Sequence, residues 1–387
     1  MNVTKRVATI LVLLWVAGCE GERSDSGPGE PAGFAGLGEE AGDFAQAHAG
    51  IELRFPEDHG AHPDYRIEWW YLTANLEDEQ GEPLGVQWTL FRQAVTPPEA
   101  RPEPTPWAAD QLWMAHMAVS RGETHRVAER FARSHSADER NDRGGQAGVQ
   151  AQPFQAWIDD WQLASRVEAP EADTFERLTL TSHHADEQGG FGYDLRLAAD
   201  GPLVRHGENG FSQKSADGQG SMYYSQPFWH IEGSVTLDGE TRAVSGRGWL
   251  DREWSSQLLG PEQRGWDWFS LHLADGHKLM AFQLRGGGED GGDYRSGSWI
   301  TPRGDATALA PDELRMTPLD TREATGREVP IRWRLEVPRV DLDLIVEAPH
   351  AERWMDTSVP YWEGEVIAFD PASGEALGEG YLEMTGY

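Results

Sequence analysis

The sequence predicts an all-β protein made of two related antiparallel units, and three observations carry that expectation. Seventeen Trp, 44 Gly and 23 Pro among 387 residues suit many short strands joined by turns rather than a helical bundle. Apolar runs are short, and no long 3.6-residue periodicity appears between them. The second half of the chain also repeats the first, which favours paired sandwiches or closed barrels, the latter leaving no exposed edge.

In chain order, Lys5 and Arg6 precede an apolar run over residues 7–16 that ends in Val16-Ala17-Gly18-Cys19. This reads as a signal peptide closed by a bacterial lipobox, so residues 1–19 are expected to direct export and Cys19 to carry a lipid anchor. Cys19 is the only cysteine, which excludes a disulfide framework within one chain. Residues 20–50 are rich in Gly, Glu, Ser and Ala and are expected to form a disordered tether.

A first barrel is expected over 51–255 and a second over 256–387. Tyr65-Arg66-Ile67-Glu68-Trp69-Trp70-Tyr71-Leu72-Thr73-Ala74-Asn75-Leu76 and Gly85-Val86-Gln87-Trp88-Thr89-Leu90-Phe91 read as a hairpin across a polar turn. Further strands are expected at 112–119, 154–163, 177–181 and 192–197, with a mobile charged loop over 134–150. Trp266-Asp267-Trp268-Phe269-Ser270-Leu271-His272-Leu273 and the following 277–284 repeat the Trp hairpin. Gly246-Arg247-Gly248-Trp249-Leu250-Asp251 matches Gly378-Glu379-Gly380-Tyr381-Leu382-Glu383, and 227–235 resembles 360–366.

A net charge of -32, with 65 acidic and 33 basic residues, makes nucleic acid and an anionic membrane surface poor partners. No phosphate loop, dinucleotide fingerprint or Gly-x-Ser-x-Gly elbow occurs, and the histidines lack metal-ligand spacing, so neither cofactor nor metal is expected.

Glu68-Trp69-Trp70-Tyr71, Trp249-Leu250-Asp251-Arg252-Glu253-Trp254 with Gly265-Trp266-Asp267-Trp268-Phe269, and the C-terminal Gly380-Tyr381-Leu382-Glu383-Met384-Thr385-Gly386-Tyr387 resemble the AttH-like/carotenoid 1,2-hydratase family of secreted bacterial proteins. The resemblance spans nearly all of 51–387 and implies two tandem lipocalin-like barrels. It further implies either an envelope lipoprotein, facing the periplasm or lying at the outer membrane, that holds a long lipid or isoprenoid, or a hydro-lyase or secreted hydrolase. Asp251 falls on the family's proposed acid. Trp249 stands at the accompanying tyrosine, Arg252-Glu253-Trp254 replaces the usual tail, and Met222-Tyr223-Tyr224 lies where a His-x-Trp element is usual.

Hydration of an isolated alkene requires a strong acid, an aromatic lining for the cation and a placed water. Asp251 with Trp249, Tyr224 and Glu253 could supply the chemistry, and Trp69, Trp70, His116, Trp254, Trp266, Asp267 and Trp268 the ligand contacts. The alternative is that Asp251 only bonds backbone where the barrel closes, and the recurrence of an acid at Glu383 favours it. A third reading makes the chain a scaffold, with an envelope transporter or complex as its partner.

Overall fold

The computed structural model describes residues 41–101, 103, 108–135, 145–166, 175–260, 262–286 and 292–387. The expected signal peptide, Cys19 and most of the expected tether lie outside them. Residues at the tether's end are packed: Ala41 is buried, the Ala45 amide donates to the Asp64 carbonyl, and Ser256 Oγ donates to the Ala45 carbonyl.

The fold is all-β. The first sheet holds β1 (Ile67–Asp78), β2 (Pro83–Ala94), β3 (Gln111–Arg121), β4 (Thr124–Ser134), β5 (Ala147–Gln150), β6 (Gln155–Ile158), β7 (Trp161–Ser165), β8 (Arg177–His184), β9 (Phe191–Ala199), β10 (Val204–Arg205), β11 (Phe211–Gln213), β12 (Gly220–Leu237) and β13 (Glu240–Ser255). Its strand order is β4-β3-β2-β1-β13-β12-β9-β8-β7-β6-β5, antiparallel throughout, with β10 and β11 on β12. The first and last strands of that order come into contact, so the sheet curls almost into a closed barrel.

The second sheet holds β14 (Gly265–Leu273), β15 (Lys278–Arg285), β16 (Tyr294–Ile300), β17 (Ala306–Leu309), β18 (Arg315–Ala324), β19 (Arg327–Val337), β20 (Leu342–Glu347), β21 (Trp354–Met355), β22 (Tyr361–Phe369) and β23 (Ala376–Met384). Its order is β17-β16-β15-β14-β23-β22-β20-β19-β18, with β21 on β22. The antiparallel, barrel-like architecture is lipocalin-like.

Two local expectations change. The single strand over 154–163 is two strands, β6 and β7, because Asp159 turns the chain with a positive φ of 53°. The charged loop over 134–150 contains β5, while its centre lies outside the described residues.

The sequence repeat is a repeat of register. Tyr71 lies opposite Asp251 across β1 and β13, and Trp268 lies opposite Glu383 across β14 and β23. Trp69, Tyr71 and Asp251 therefore correspond to Trp266, Trp268 and Glu383. The resemblance of 227–235 to 360–366 does not hold in space. Ser225 faces Asp251 while Glu363 faces Glu383, so the spatial partner of Glu363 is Ser225 rather than His230. A bulge between Gln226 and Trp229 shifts that part of β12.

Strict alternation of side chains decides which residues meet. Trp70, Leu72, Trp88, Leu90 and Leu250 fill the first sheet's interior, and Phe269, Leu271, Trp333 and Leu382 fill the second's. The opposite faces of the same strands bring Tyr71, Tyr223 and Trp249 against the second sheet, where they join Trp268, Phe282 and Tyr381 in a third cluster. At Gly85 the second sheet reaches in with side chains: a Cβ there would meet the Glu365 carboxyl and the Tyr381 hydroxyl, so the glycine leaves room for both groups.

Candidate functional site

Between the two sheets lies a cavity of about 390 Å³, within the size range of small-molecule sites. Both sheets contribute. The first supplies Trp69, Tyr71, Phe91, His116, Tyr223, Asp251 and Glu253; the second supplies Trp266, Trp268, Phe282, Leu284, Tyr361 and Glu383; and Lys214 enters from the loop after β11. The pocket thus lies outside both barrel interiors, which side chains occupy. Leu112 and Phe131 line it while remaining 47% and 55% exposed, so part of its rim is apolar and open to solvent.

Asp251 is buried, and its Oδ1 accepts from Trp249 Nε1 at 2.8 Å and from Ser225 Oγ. Burial is the largest influence on its pKa and raises it to about 7, while the Ser225, Trp249 and Tyr223 hydrogen bonds oppose the rise and the Glu253 charge adds to it. With two donors on Oδ1, a proton on this carboxyl belongs on Oδ2. Ser225 Oγ also lies 2.6 Å from His206 Nε2, whose other nitrogen is 2.9 Å from Ser298 Oγ on β16. Burial lowers the His206 pKa to about 3, so the ring is neutral and links the Asp251 site to the second sheet without adding charge.

Glu383 is the counterpart of Asp251. Its Oε1 accepts from Trp266 Nε1 at 2.6 Å, and burial raises its pKa to about 7 against the hydrogen bonds from Trp266 and Tyr71. Directly across from it, Glu363 is fully enclosed, with its pKa raised well above the usual carboxylate range by burial and then by Glu383. Two facing carboxyls in an apolar setting do not both ionise readily. Tyr71 donates to Glu363 Oε1.

The two acid sites are interleaved. Tyr71, the cross-strand partner of Asp251, reaches into the Glu363–Glu383 site, whereas Trp268, the partner of Glu383, donates from Nε1 to the Tyr223 hydroxyl beside Asp251 at 3.1 Å. Between them the Tyr71 and Trp268 rings pack edge to face, centroids 5.4 Å apart.

The other charges are paired. Lys214 Nζ lies 2.8 Å from Glu253 Oε1 and over the Phe282 and Tyr223 rings at 4.1 and 4.9 Å, and Ser221 donates to the same Glu253 oxygen. Glu68 and Arg92 also line the cavity, where Glu68 bonds Arg252 at 2.7 Å and Arg92 at 3.1 Å with all three side chains inaccessible to solvent. The two guanidiniums outweigh burial and hold the Glu68 pKa well below the usual range. Among the described residues no group of three or more His, Cys, Asp and Glu is placed to hold a metal ion, and no helix is long and apolar enough to cross a membrane.

Of the residues singled out in the sequence, Asp251, Glu253, Trp69, His116, Trp266 and Trp268 line the cavity. Alternation turns the others away. Trp70 lies in the first interior and donates to the His59 carbonyl. Tyr224 bonds His59 Nδ1 at 2.7 Å on the far side of β12, Trp254 stacks on His62, and Asp267 binds Arg285, Gln283 and Tyr387. Trp249 touches Asp251 without lining the cavity. Sequence reasoning missed Tyr71, Tyr223, Lys214, Tyr361 and Glu363. It also set Glu383 aside, although the repeat that identified it places it in the same cavity.

The chain is similar in structure to an AttH-named protein of Nitrosomonas europaea, at 33% identity and a TM-score of 0.73, covering 89% of this chain and all of that one. It shares its fold with kievitone hydratase from Nectria haematococca (16% identity, TM-score 0.60, 89% and 98% covered) and with CghA bound to Sch210972 (11%, 0.52, 88% and 94%). No curated protein matches it. The model of the AttH-like family matches residues 46–387, and the chain belongs to that family.

Proposed function

We propose that the protein takes a long, mainly apolar small molecule, a lipid or isoprenoid, into the cavity between its two sheets, and that it does so as an envelope lipoprotein anchored through Cys19. The observation that carries the binding reading is the cavity itself: aromatic faces from both sheets, an apolar exposed rim at Leu112 and Phe131, and two inward-facing carboxyls, Asp251 and Glu383, whose pKa values are raised to about 7, so that each carries a proton about half the time at neutral pH. A neutral acid costs an apolar ligand far less desolvation than a carboxylate would. The anchor rests on the export run and the sole cysteine.

Asp251 favours a second reading, a hydro-lyase. A carboxylic acid with a pKa near 7 is matched to proton transfer at neutral pH. In that reaction the Asp251 Oδ2–H bond breaks as a C–H bond forms on one alkene carbon, leaving a cation on its neighbour. Trp69, Tyr71, Tyr223 and Trp268 offer ring faces to that cation. Water then forms the new C–O bond and gives its extra proton to a carboxylate. The fold shared with kievitone hydratase is consistent with this chemistry without specifying a substrate.

The test begins with mass spectrometry of organic extracts of the domain from residue 20 onward, purified from a native-like host without harsh detergent. A co-purifying lipid or polyene supports the site, and wild type and Asp251→Asn are then compared for affinity and turnover. Unchanged affinity with lost turnover selects the hydro-lyase. Equal affinity with no turnover by either protein selects the carrier, and absence of binding to any apolar probe removes both.

A further inference from the structure

A chain of polar side chains leads from the Glu383 side of the cavity to solvent. Tyr71 donates to Glu363 Oε1 and lies near enough to Glu383 to lower its pKa. The other oxygen, Glu363 Oε2, is buried and makes no hydrogen bond among the described residues, and the Tyr361 hydroxyl is near enough to this carboxyl to lower its pKa. The Tyr361 hydroxyl lies 3.0 Å from His116 Nδ1 and 3.3 Å from the Gln87 amide nitrogen. On the far side of the ring, His116 Nε2 lies 3.1 Å from Glu129 Oε1. Glu129 is at the surface, where it also accepts from the Ser358 amide and hydroxyl.

The polarity of this chain is consistent from end to end. Gln87 can only donate to the Tyr361 oxygen through its amide nitrogen, so the Tyr361 hydrogen is free to point at His116 Nδ1. With the Tyr361 hydrogen on that side, the His116 proton sits on Nε2, aimed at the Glu129 carboxylate. Burial disfavours a charged His116, in keeping with a neutral ring that accepts on one side and donates on the other. A buried apolar strand needs none of this, and the isolated Glu363 oxygen would cost stability unless it carried a proton to share.

We propose that Glu383 and Glu363 form a second acid–base site in the ligand cavity, connected to bulk solvent through Tyr361, His116 and Glu129. This rests on the cavity being the ligand site. When an O–H bond of a cavity water or ligand hydroxyl breaks, Glu383 takes the proton. Glu383 passes a proton to the Tyr71 oxygen as the Tyr71 hydrogen moves to Glu363 Oε1. Glu363 gives up its Oε2 proton to Tyr361, whose own hydrogen moves to His116 Nδ1 as the Nε2 hydrogen passes to Glu129 and then to water. One O–H or N–H bond forms for each that breaks, and no other reactant is needed. The ligand class is an apolar molecule whose reacting oxygen exchanges a proton beside Glu383.

The test needs no ligand. The buried carboxyl stretch is followed by infrared spectroscopy after mixing the full protein into D2O, with Glu383→Gln identifying the band. Tyr361→Phe, which removes one hydroxyl, and Glu129→Gln, at the surface end, interrupt the chain with small changes in shape. The proposal expects deuteration of the Glu383–Glu363 band to slow by about tenfold or more in Tyr361→Phe, a change of about 1.4 kcal/mol in barrier, and by a smaller factor in Glu129→Gln. The Asp251 band should be unaffected in both. Unchanged exchange in both variants, or equal slowing of the Asp251 band through general loosening, overturns it. The ligand reading fails separately, through the affinity and turnover of Asp251→Asn.

Discussion

Asp251 and Glu383 occupy equivalent positions in the two sheets, yet their surroundings differ in one respect that decides their chemistry. Asp251 is buried and Glu383 half-buried, each accepts an indole N–H, and each has its pKa raised to about 7 by desolvation. Across the strand, Asp251 meets the hydroxyl of Ser225, while Glu383 meets a second carboxyl, Glu363. The Asp251 side can therefore hold one proton and release it as a single acid. The Glu363–Glu383 side holds a proton shared between two groups, so its titration belongs to the pair. Duplication of a fold has produced two acids of similar strength from which one partner substitution makes different devices.

The largest effect that separates them is on turnover. If the cavity hydrates an alkene, Asp251→Asn should lower the rate by about 10²–10⁴-fold with little change in affinity, the range of a lost general acid. Glu383→Gln should leave the protonation of substrate at Asp251 possible and lower the rate by less. Steady-state kinetics beside equilibrium binding would check this, and equal losses would erase the distinction.

Next comes stability against pH. Both carboxyls have folded pKa values near 7, raised from 3.8 and 4.5. Between those values the folded chain keeps protons that the unfolded chain releases, so stability falls as pH rises from about 4 to about 7 and levels off above. At about pH 8 each substitution, Asp251→Asn or Glu383→Gln, should recover up to about 3–4 kcal/mol and flatten the slope. Urea unfolding across that range would show it. Glu68 gives the opposite sign: its depressed pKa contributes stability above the ordinary carboxylate range that is lost as pH falls, and Glu68→Ala should cost about 3–5 kcal/mol by stranding two guanidiniums.

Smaller effects should follow the interleaving. Tyr71→Phe is expected to raise the titration of the Glu363–Glu383 pair, although Tyr71 sits opposite Asp251 in register. Trp268→Phe should disturb Tyr223 and Asp251, although Trp268 sits opposite Glu383. Each loses about one hydrogen bond, on the order of 1 kcal/mol. Carboxyl carbon chemical shifts would show which site responds, and responses at the register partner would break the crossed arrangement.

Much of this fold was legible from the sequence because strand alternation, turns and the repeat of Gly-x-Gly-aromatic-Leu-acid are local signals. The hairpin of β1 and β2 and that of β14 and β15 lie where the Trp-rich runs predict. The site was half legible for a specific reason. Alternation shows that Trp69 and Trp70 take opposite faces, as do Tyr223 and Tyr224, but which face meets the cavity depends on how two sheets dock, a long-range matter. The same docking brings Tyr361 and Glu363 to the acid cluster from over 100 residues away. Glu383 was recognisable, since the repeat that pairs it with Asp251 also places it on the corresponding face.

The most direct test of the account is the titration of Asp251 by carboxyl carbon NMR, assigned with Asp251→Asn and repeated with an apolar probe bound in the cavity. The account predicts a midpoint near about 7 that rises further when the probe expels water from the carboxyl. A midpoint in the ordinary carboxylate range, unmoved by the probe, would contradict it.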